Sequence, residues 1–173
     1  MRLFVRALAV LGLLGGGWTG FAYLRERDEK ERSAMWRTVN AVRGFQAMFL
    51  EGDLDGNGVH DYWTADVAGL LAPFSAPVWD VDPRELAAAD VAPLVPRSPR
   101  PYYGYYAVVV RWDPATDPEG AGDFAVCLYP ASYAPGKDTW YVTNYGRFKS
   151  DTGGAPVRRW LSREELRMWS RCC

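Results

Sequence analysis

One histidine and three cysteines in 173 residues leave too few ligands for a Cys/His zinc site of the usual kind. Neither sign of charge is in excess, since 20 Lys and Arg against 21 Asp and Glu give a net charge of -1. No basic cluster lies away from the N-terminal region, so no nucleic-acid partner is expected. There is no internal repeat. No nucleophile–base pair and no pair of acids stands at catalytic spacing, so the chain is not expected to be an enzyme. Apolar and aromatic residues are what the chain has in quantity, at 49% and 14%. That excludes whole-chain disorder and fits one packed domain with a tail or anchor.

The N-terminal region sets the expected compartment. Met1 to Arg6 form a short basic leader, and residues 7–24 follow without a charged side chain. That length lies between a signal-peptide core and a membrane-spanning helix. Gly15, Gly16 and Gly17 are tolerated in a bilayer, and Trp18, Phe21 and Tyr23 suit its interface with water. Arg2 and Arg6 precede the segment, whereas the run Arg25 to Arg32 sums to zero charge, which puts the N-terminus in the cytoplasm. The expectation is a single-pass inner-membrane protein with a signal anchor at 1–24, touching the membrane through residues 7–24. Its ectodomain would be periplasmic or at the cell surface. Cleavage after Ala22 is the alternative.

Residues 25–52 form the second expected segment, an amphipathic extension helix. Met35, Val39, Val42, Phe45 and Phe49 recur at spacings of three and four. The third, 53–173, is the globular ectodomain. Within it Asp82 and Pro83 open a short helix. Three β-type runs follow, Tyr102 to Trp112, Phe124 to Tyr129 and Thr139 to Phe148, with short turn-rich connections that favour antiparallel pairing. Ser162 and Glu165 form a capping box for a last helix, Arg163 to Arg171. The expected fold class is α+β. An N-terminal membrane helix continues into a long amphipathic helix packed on an antiparallel β-sheet, and a short C-terminal helix ends the chain. Met35, Val39, Val42 and Phe49 are expected to face Val108, Val110, Val126 and Val142.

The most specific motif runs from Asp53 to Asp61. Asp53, Asp55 and Asn57 at alternate positions, then Gly58, the Val59 carbonyl and Asp61, are the ligand set of a short Ca²⁺ loop. Position 12, where an EF-hand carries Glu, is Thr64, so this is not a regular EF-hand. Asp66 is a reserve ligand. The alternative is an Asx-rich turn that needs no metal. His60, inside the loop, is expected to be exposed. Tyr102, Tyr103, Tyr105 and Tyr106 offer an aromatic strand able to stack on a sugar or base, or else to serve as strand edge and core. Asp151-Thr152-Gly153 is a turn rather than a protease triplet, because no second copy exists. Cys127 either bridges to Cys172 or Cys173 or is a buried free thiol.

A resemblance adds to this. A membrane helix running into the helix at Ser33 to Val42, followed by an antiparallel sheet, resembles type IV pilins and pseudopilins. More narrowly, the chain resembles uncharacterised pilin-like secreted proteins of planctomycete-type bacteria. The residues carrying this are Arg37 to Asn40, Asp53 to Trp63, Asp66 to Leu70, Phe124 to Pro130 and Lys149 to Val157. Gly20-Phe21 follows the apolar stretch instead of preceding it, unlike a prepilin-peptidase site. The resemblance implies a membrane-anchored structural or assembly subunit with a structural calcium loop, meeting other pilin-like subunits through its N-terminal helix. The aromatic strand keeps a second function open: a membrane-tethered extracytoplasmic module that binds a ligand or carbohydrate.

Overall fold

In the computed structural model, residues 25–132, 137–150 and 155–169 are described with their side chains. Residues 2–24, 170 and 171 are described only as parts of a helix and a strand. The chain divides into two compact units, Met1–Met35 and Trp36–Cys173. Helix α1, Arg2–Gly52, belongs to both. In the first unit, Arg25–Glu29, Glu26–Lys30 and Arg27–Glu31 pair one turn apart on an exposed surface. Pairs this open to water add little to stability.

Among the described residues no helix is long and apolar enough to cross a membrane. This corrects the single-pass inner-membrane placement, with its signal anchor and periplasmic ectodomain. The expected span itself, residues 7–24, lies outside the residues whose side chains are described. The expected fold class is corrected with it. Taken over its whole length α1 carries no one-sided apolar stripe, and residues 25–30 are exposed all round. Among the residues of α1 whose side chains are described, burial on one face lies in the C-terminal part, where Val39, Val42, Phe45, Gln46 and Phe49 are covered.

The second unit is built on a five-stranded antiparallel meander in the order β1-β2-β3-β4-β5. The strands are β1 Tyr105–Val109, β2 Ala125–Pro130, β3 Thr139–Thr143, β4 Gly146–Ser150 and the two-residue β5 Ser170–Arg171. The third β-type run is thus a hairpin, broken at Asn144 and Tyr145. β2 and β3 are buried at every position, so both faces of the sheet are covered. On one face α1 meets it through the tilted Trp36–Trp140 pair at 6.2 Å and the Arg43 Nη2 bond to the Asn144 carbonyl at 3.0 Å. There Arg147 also donates to Asn40 and its guanidinium lies 4.9 Å over the Trp36 ring. On the other, Val108, Val110, Cys127 and Tyr141 pack with Trp160, Leu161 and Leu166. Val108 and Val110 therefore point away from α1. Register explains this, since Val108 stands opposite Cys127 and shares its face.

Three short helices complete the unit: α2 Val67–Leu71, α3 Pro83–Ala88 and α4 Arg163–Arg167. Asp82 caps α3 by accepting from the Arg84 and Glu85 amides at 2.8 and 3.4 Å, and Pro83 fills its first turn. α4 ends at Arg167, short of the expected Arg171, because Ser170 and Arg171 pair with β4 instead. Its N-terminus is the expected capping box, with Ser162 Oγ accepting from the Glu165 amide and Glu165 accepting from the Ser162 amide.

The Arg159 guanidinium, then the Ser162 amide, hold the Glu165 carboxyl down at about 2 against an ordinary 4.5. Its contribution to stability is therefore complete above that ordinary value and is lost as pH falls toward the lower one. Glu165→Gln is expected to cost about 1 kcal/mol at pH 7, mostly from the cap, since the Arg159 pair is exposed. In urea titrations at several pH values the gap between parent and variant should close on acidification. A gap that persists at pH 2 would refute the electrostatic part.

Candidate functional site

The acidic loop turns its side chains onto its own backbone. Asp53 Oδ2 accepts from the Gly58 amide at 3.0 Å, Asp55 Oδ1 from the Asn57 amide at 3.3 Å, and Asn57 Oδ1 from the Val59 amide at 2.6 Å. Asp55 Oδ2 also accepts from the Asn57 side chain at 2.9 Å. The bonds of Asp55 to the Asn57 amide and of Asn57 to the Val59 amide are Asx turns, which order a loop without an ion, and the Asp53 bond to Gly58 closes the loop over five residues. The second Asp53 oxygen is buried and unpartnered. Asp61 stands apart, lining a cleft of about 400 Å³ with Tyr62, Arg111 and Trp112. Among the described residues no group of three or more His, Cys, Asp or Glu side chains is placed to hold a metal ion. The calcium-binding loop expected at Asp53, Asp55, Asn57, Val59 and Asp61 is corrected to a self-bonded turn. The His60 ring is exposed, and its Nδ1 donates to the Leu50 carbonyl at 2.9 Å.

The distinctive residues after the loop form a structural clamp. Gln46, fully buried on α1, holds both backbone groups of Trp63: its Nε2 donates to the carbonyl at 2.7 Å and its Oε1 accepts from the amide at 3.0 Å. The Trp63 ring lies 5.3 Å from Phe49, and its Nε1 donates to the Asp66 carbonyl at 2.8 Å. Asp66 is no reserve metal ligand. It caps α2 through the Gly69 amide at 2.8 Å and accepts from the Leu94 amide at 2.6 Å. A Cβ on Gly69 would overlap the Trp63 ring, which is why that position takes glycine. Asp90, also buried, accepts from the Ala68 and Ala92 amides at 2.9 Å each. Burial pushes its carboxyl up, and the nearby Asp66 charge adds to this.

The four tyrosines separate in role. Tyr105 is buried in β1, and Tyr106 is half-buried against Tyr129 at 5.9 Å. Tyr102 and Tyr103 precede the strand. The amides and carbonyls of Tyr102 and Tyr105 bond reciprocally at 2.8 and 2.9 Å. Between them Tyr103 and Gly104 have φ of 46° and 79°. Two positive φ values in a two-residue loop are those of a type I′ hairpin turn. Glycine suits its place there, but a tyrosine at positive φ is an outlier. The Tyr103 ring, half exposed, stands edge-on to buried Tyr102 at 4.7 Å.

These two rings form one wall of a cleft of about 590 Å³, continued by Arg100 and Pro101 and faced by Arg84, Glu85 and Ala88 of α3. Backbone bonds fix both walls. The Arg100 amide donates to the Ala88 carbonyl at 2.6 Å, Arg97 donates to the Ala87 carbonyl, and the Tyr102 hydroxyl is bonded at the Asp82 backbone. The Ala107 amide donates to the Ala89 carbonyl at 2.9 Å, tying the end of α3 to β1. Among the described residues neither Arg84 nor Arg100 has its guanidinium in an ion pair. Only the tyrosines were legible as candidates in the sequence; Arg84, Glu85 and Arg100 were not.

Cys127 is a buried free thiol, and burial pushes it up to about 12, so it is no nucleophile at neutral pH. Cys172, Cys173 and Asp151-Thr152-Gly153 lie outside the described residues. Compared with protein-family models, with curated proteins and with solved structures, the chain matches none, and nothing there identifies a pilin-like family.

Proposed function

We propose that this protein is a binding module that takes a saccharide in the cleft between α3 and the Tyr102–Tyr105 turn. The observation that carries this is Tyr103. A left-handed backbone costs a bulky residue of order 1–2 kcal/mol, which Gly or Asn would largely avoid. The residue is 50% exposed, so part of its ring stays open where it lines the cleft. What the conformation achieves is placement of an aromatic face at the mouth of a fixed cleft. A pyranose lays its C–H face on such a ring and turns its hydroxyls to polar neighbours, here Arg84, Glu85 and Arg100.

Strain kept for binding separates stability from function. Tyr103→Asn is expected to leave the fold as stable as the parent, or to raise it by about 1 kcal/mol, while weakening saccharide binding at least tenfold. Calorimetric titration with a panel of neutral and acidic tri- and tetrasaccharides, beside thermal unfolding, reads both quantities. If the parent shows no saturable binding to any member, or Tyr103→Asn binds equally well, the proposal fails.

A further inference from the structure

We infer that the saccharide taken by this cleft is acidic, with its carboxylate received by Arg84 and Arg100; the inference rests on the saccharide reading above. The two arginines belong to different segments, α3 and the stretch before Tyr102, and both line the one cleft. Their main chains do not drift: the Arg84 amide is held by Asp82 Oδ1 at 2.8 Å and the Arg100 amide by the Ala88 carbonyl at 2.6 Å. Neither guanidinium is in an ion pair among the described residues, whereas Arg159 and Arg163 face carboxylates. A planar guanidinium with paired N–H donors matches a carboxylate better than it matches a hydroxyl.

The opposing charges are Glu85, which lines the same cleft, and Asp82, whose Oδ1 is already taken by the Arg84 and Glu85 amides. Asp82 keeps its charge but does not line the cleft, so within the lining itself two cations stand against one carboxylate, a balance that favours an anion. Glu85 is left to accept ring hydroxyls and to oppose a second acidic group close by. The ligand is therefore a uronate-type sugar with one carboxylate at the arginines and a ring on Tyr103, not a densely charged polyanion.

The test is calorimetric titration of the full chain with trigalacturonate and with its neutral methyl ester, which keeps the rings and removes the charge. The acid is expected to bind at least tenfold more tightly than the ester. Raising ionic strength from about 0.02 to about 0.2 M should weaken the acid alone. Arg84→Gln and Arg100→Gln should each weaken the acid about tenfold and the ester, which loses only a hydroxyl contact, by less than threefold. Glu85→Gln should strengthen the acid. All three side chains are exposed, and an unchanged thermal midpoint confirms that each variant is folded. If the ester binds as tightly as the acid, the charge inference falls and the saccharide reading stands. If neither trisaccharide binds while a neutral member of the wider panel does, the charge inference also falls alone. If nothing binds, both fall together.

Discussion

Gln46→Ala should destabilise the second unit by about 3 kcal/mol, although Gln46 is a polar residue on a helix. The reason is its double bond to Trp63, at 2.7 and 3.0 Å, across seventeen residues. Truncation leaves a backbone N–H and C=O without partners in a part-buried place, and each costs about 1–3 kcal/mol. Gln46→Glu sharpens the test. A carboxylate still accepts from the Trp63 amide but faces the Trp63 carbonyl with a lone pair, so folding raises the pKa of the new acid. Protonation restores the missing donor. That variant should be nearly as stable as the parent below about pH 4.3 and lose stability as pH rises through the raised pKa. Urea unfolding from pH 3 to 8 decides the matter; if Gln46→Glu tracks the parent at every pH, the clamp is not what holds the loop.

Trp160→Ala carries the other large effect, about 3–5 kcal/mol. Trp160 is 1% exposed and is the largest of the fully buried side chains. It covers the sheet face formed by Val108, Val110, Cys127 and Tyr141. Its Nε1 donates to Asp117 Oδ2 at 3.3 Å, while the Asp117 carbonyl accepts from Trp112 Nε1 at 2.8 Å. Trp160→Phe keeps most of the packing and loses only the N–H, so it should cost about 1–2 kcal/mol, the deficit of an acceptor left short of a donor. Denaturant midpoints at constant slope measure both. A loss below about 1 kcal/mol for Trp160→Ala would mean that this face is not a packed core.

Features satisfied within a few residues were legible in the sequence. Asp82 with Pro83, and Ser162 with Glu165, name their own helix starts because their partners lie two or three positions away. The antiparallel pairing of β2 with β3 follows from a connection too short for a crossover, and that of β1 with β2 from a connection dense in turn residues with no helical pattern. Parity was not legible. When both faces of β2 are buried, an apolar run does not say which valines meet α1. The acidic loop was misleading for a physical reason: Asp, Asn and Gly suit Asx turns and Ca²⁺ loops alike, and only the geometry shows the oxygens turned onto amides. The cleft lay beyond sequence reasoning altogether. Arg84 and Arg100 belong together through the Arg100–Ala88 backbone bond, and a Tyr-Gly pair does not signal a type I′ turn as Asn-Gly does.

The covering of the sheet by α1 has a consequence in time. Asn40 and Arg43 find their partners in Arg147 and Asn144, 107 and 101 positions later. Translated at about 5–20 residues per second, the helix waits roughly 5–20 s before β3 and β4 leave the ribosome. Through that interval Trp36, Asn40 and Arg43 lack their partners on the sheet, while Phe45 and Phe49 can already meet Phe74, Trp79 and Trp63. Contacts so distant in sequence also slow the folding that follows, since long loops must close before they are rewarded. The part of the nascent helix from Trp36 to Arg43 is thus left without its sheet partners until the chain is nearly complete.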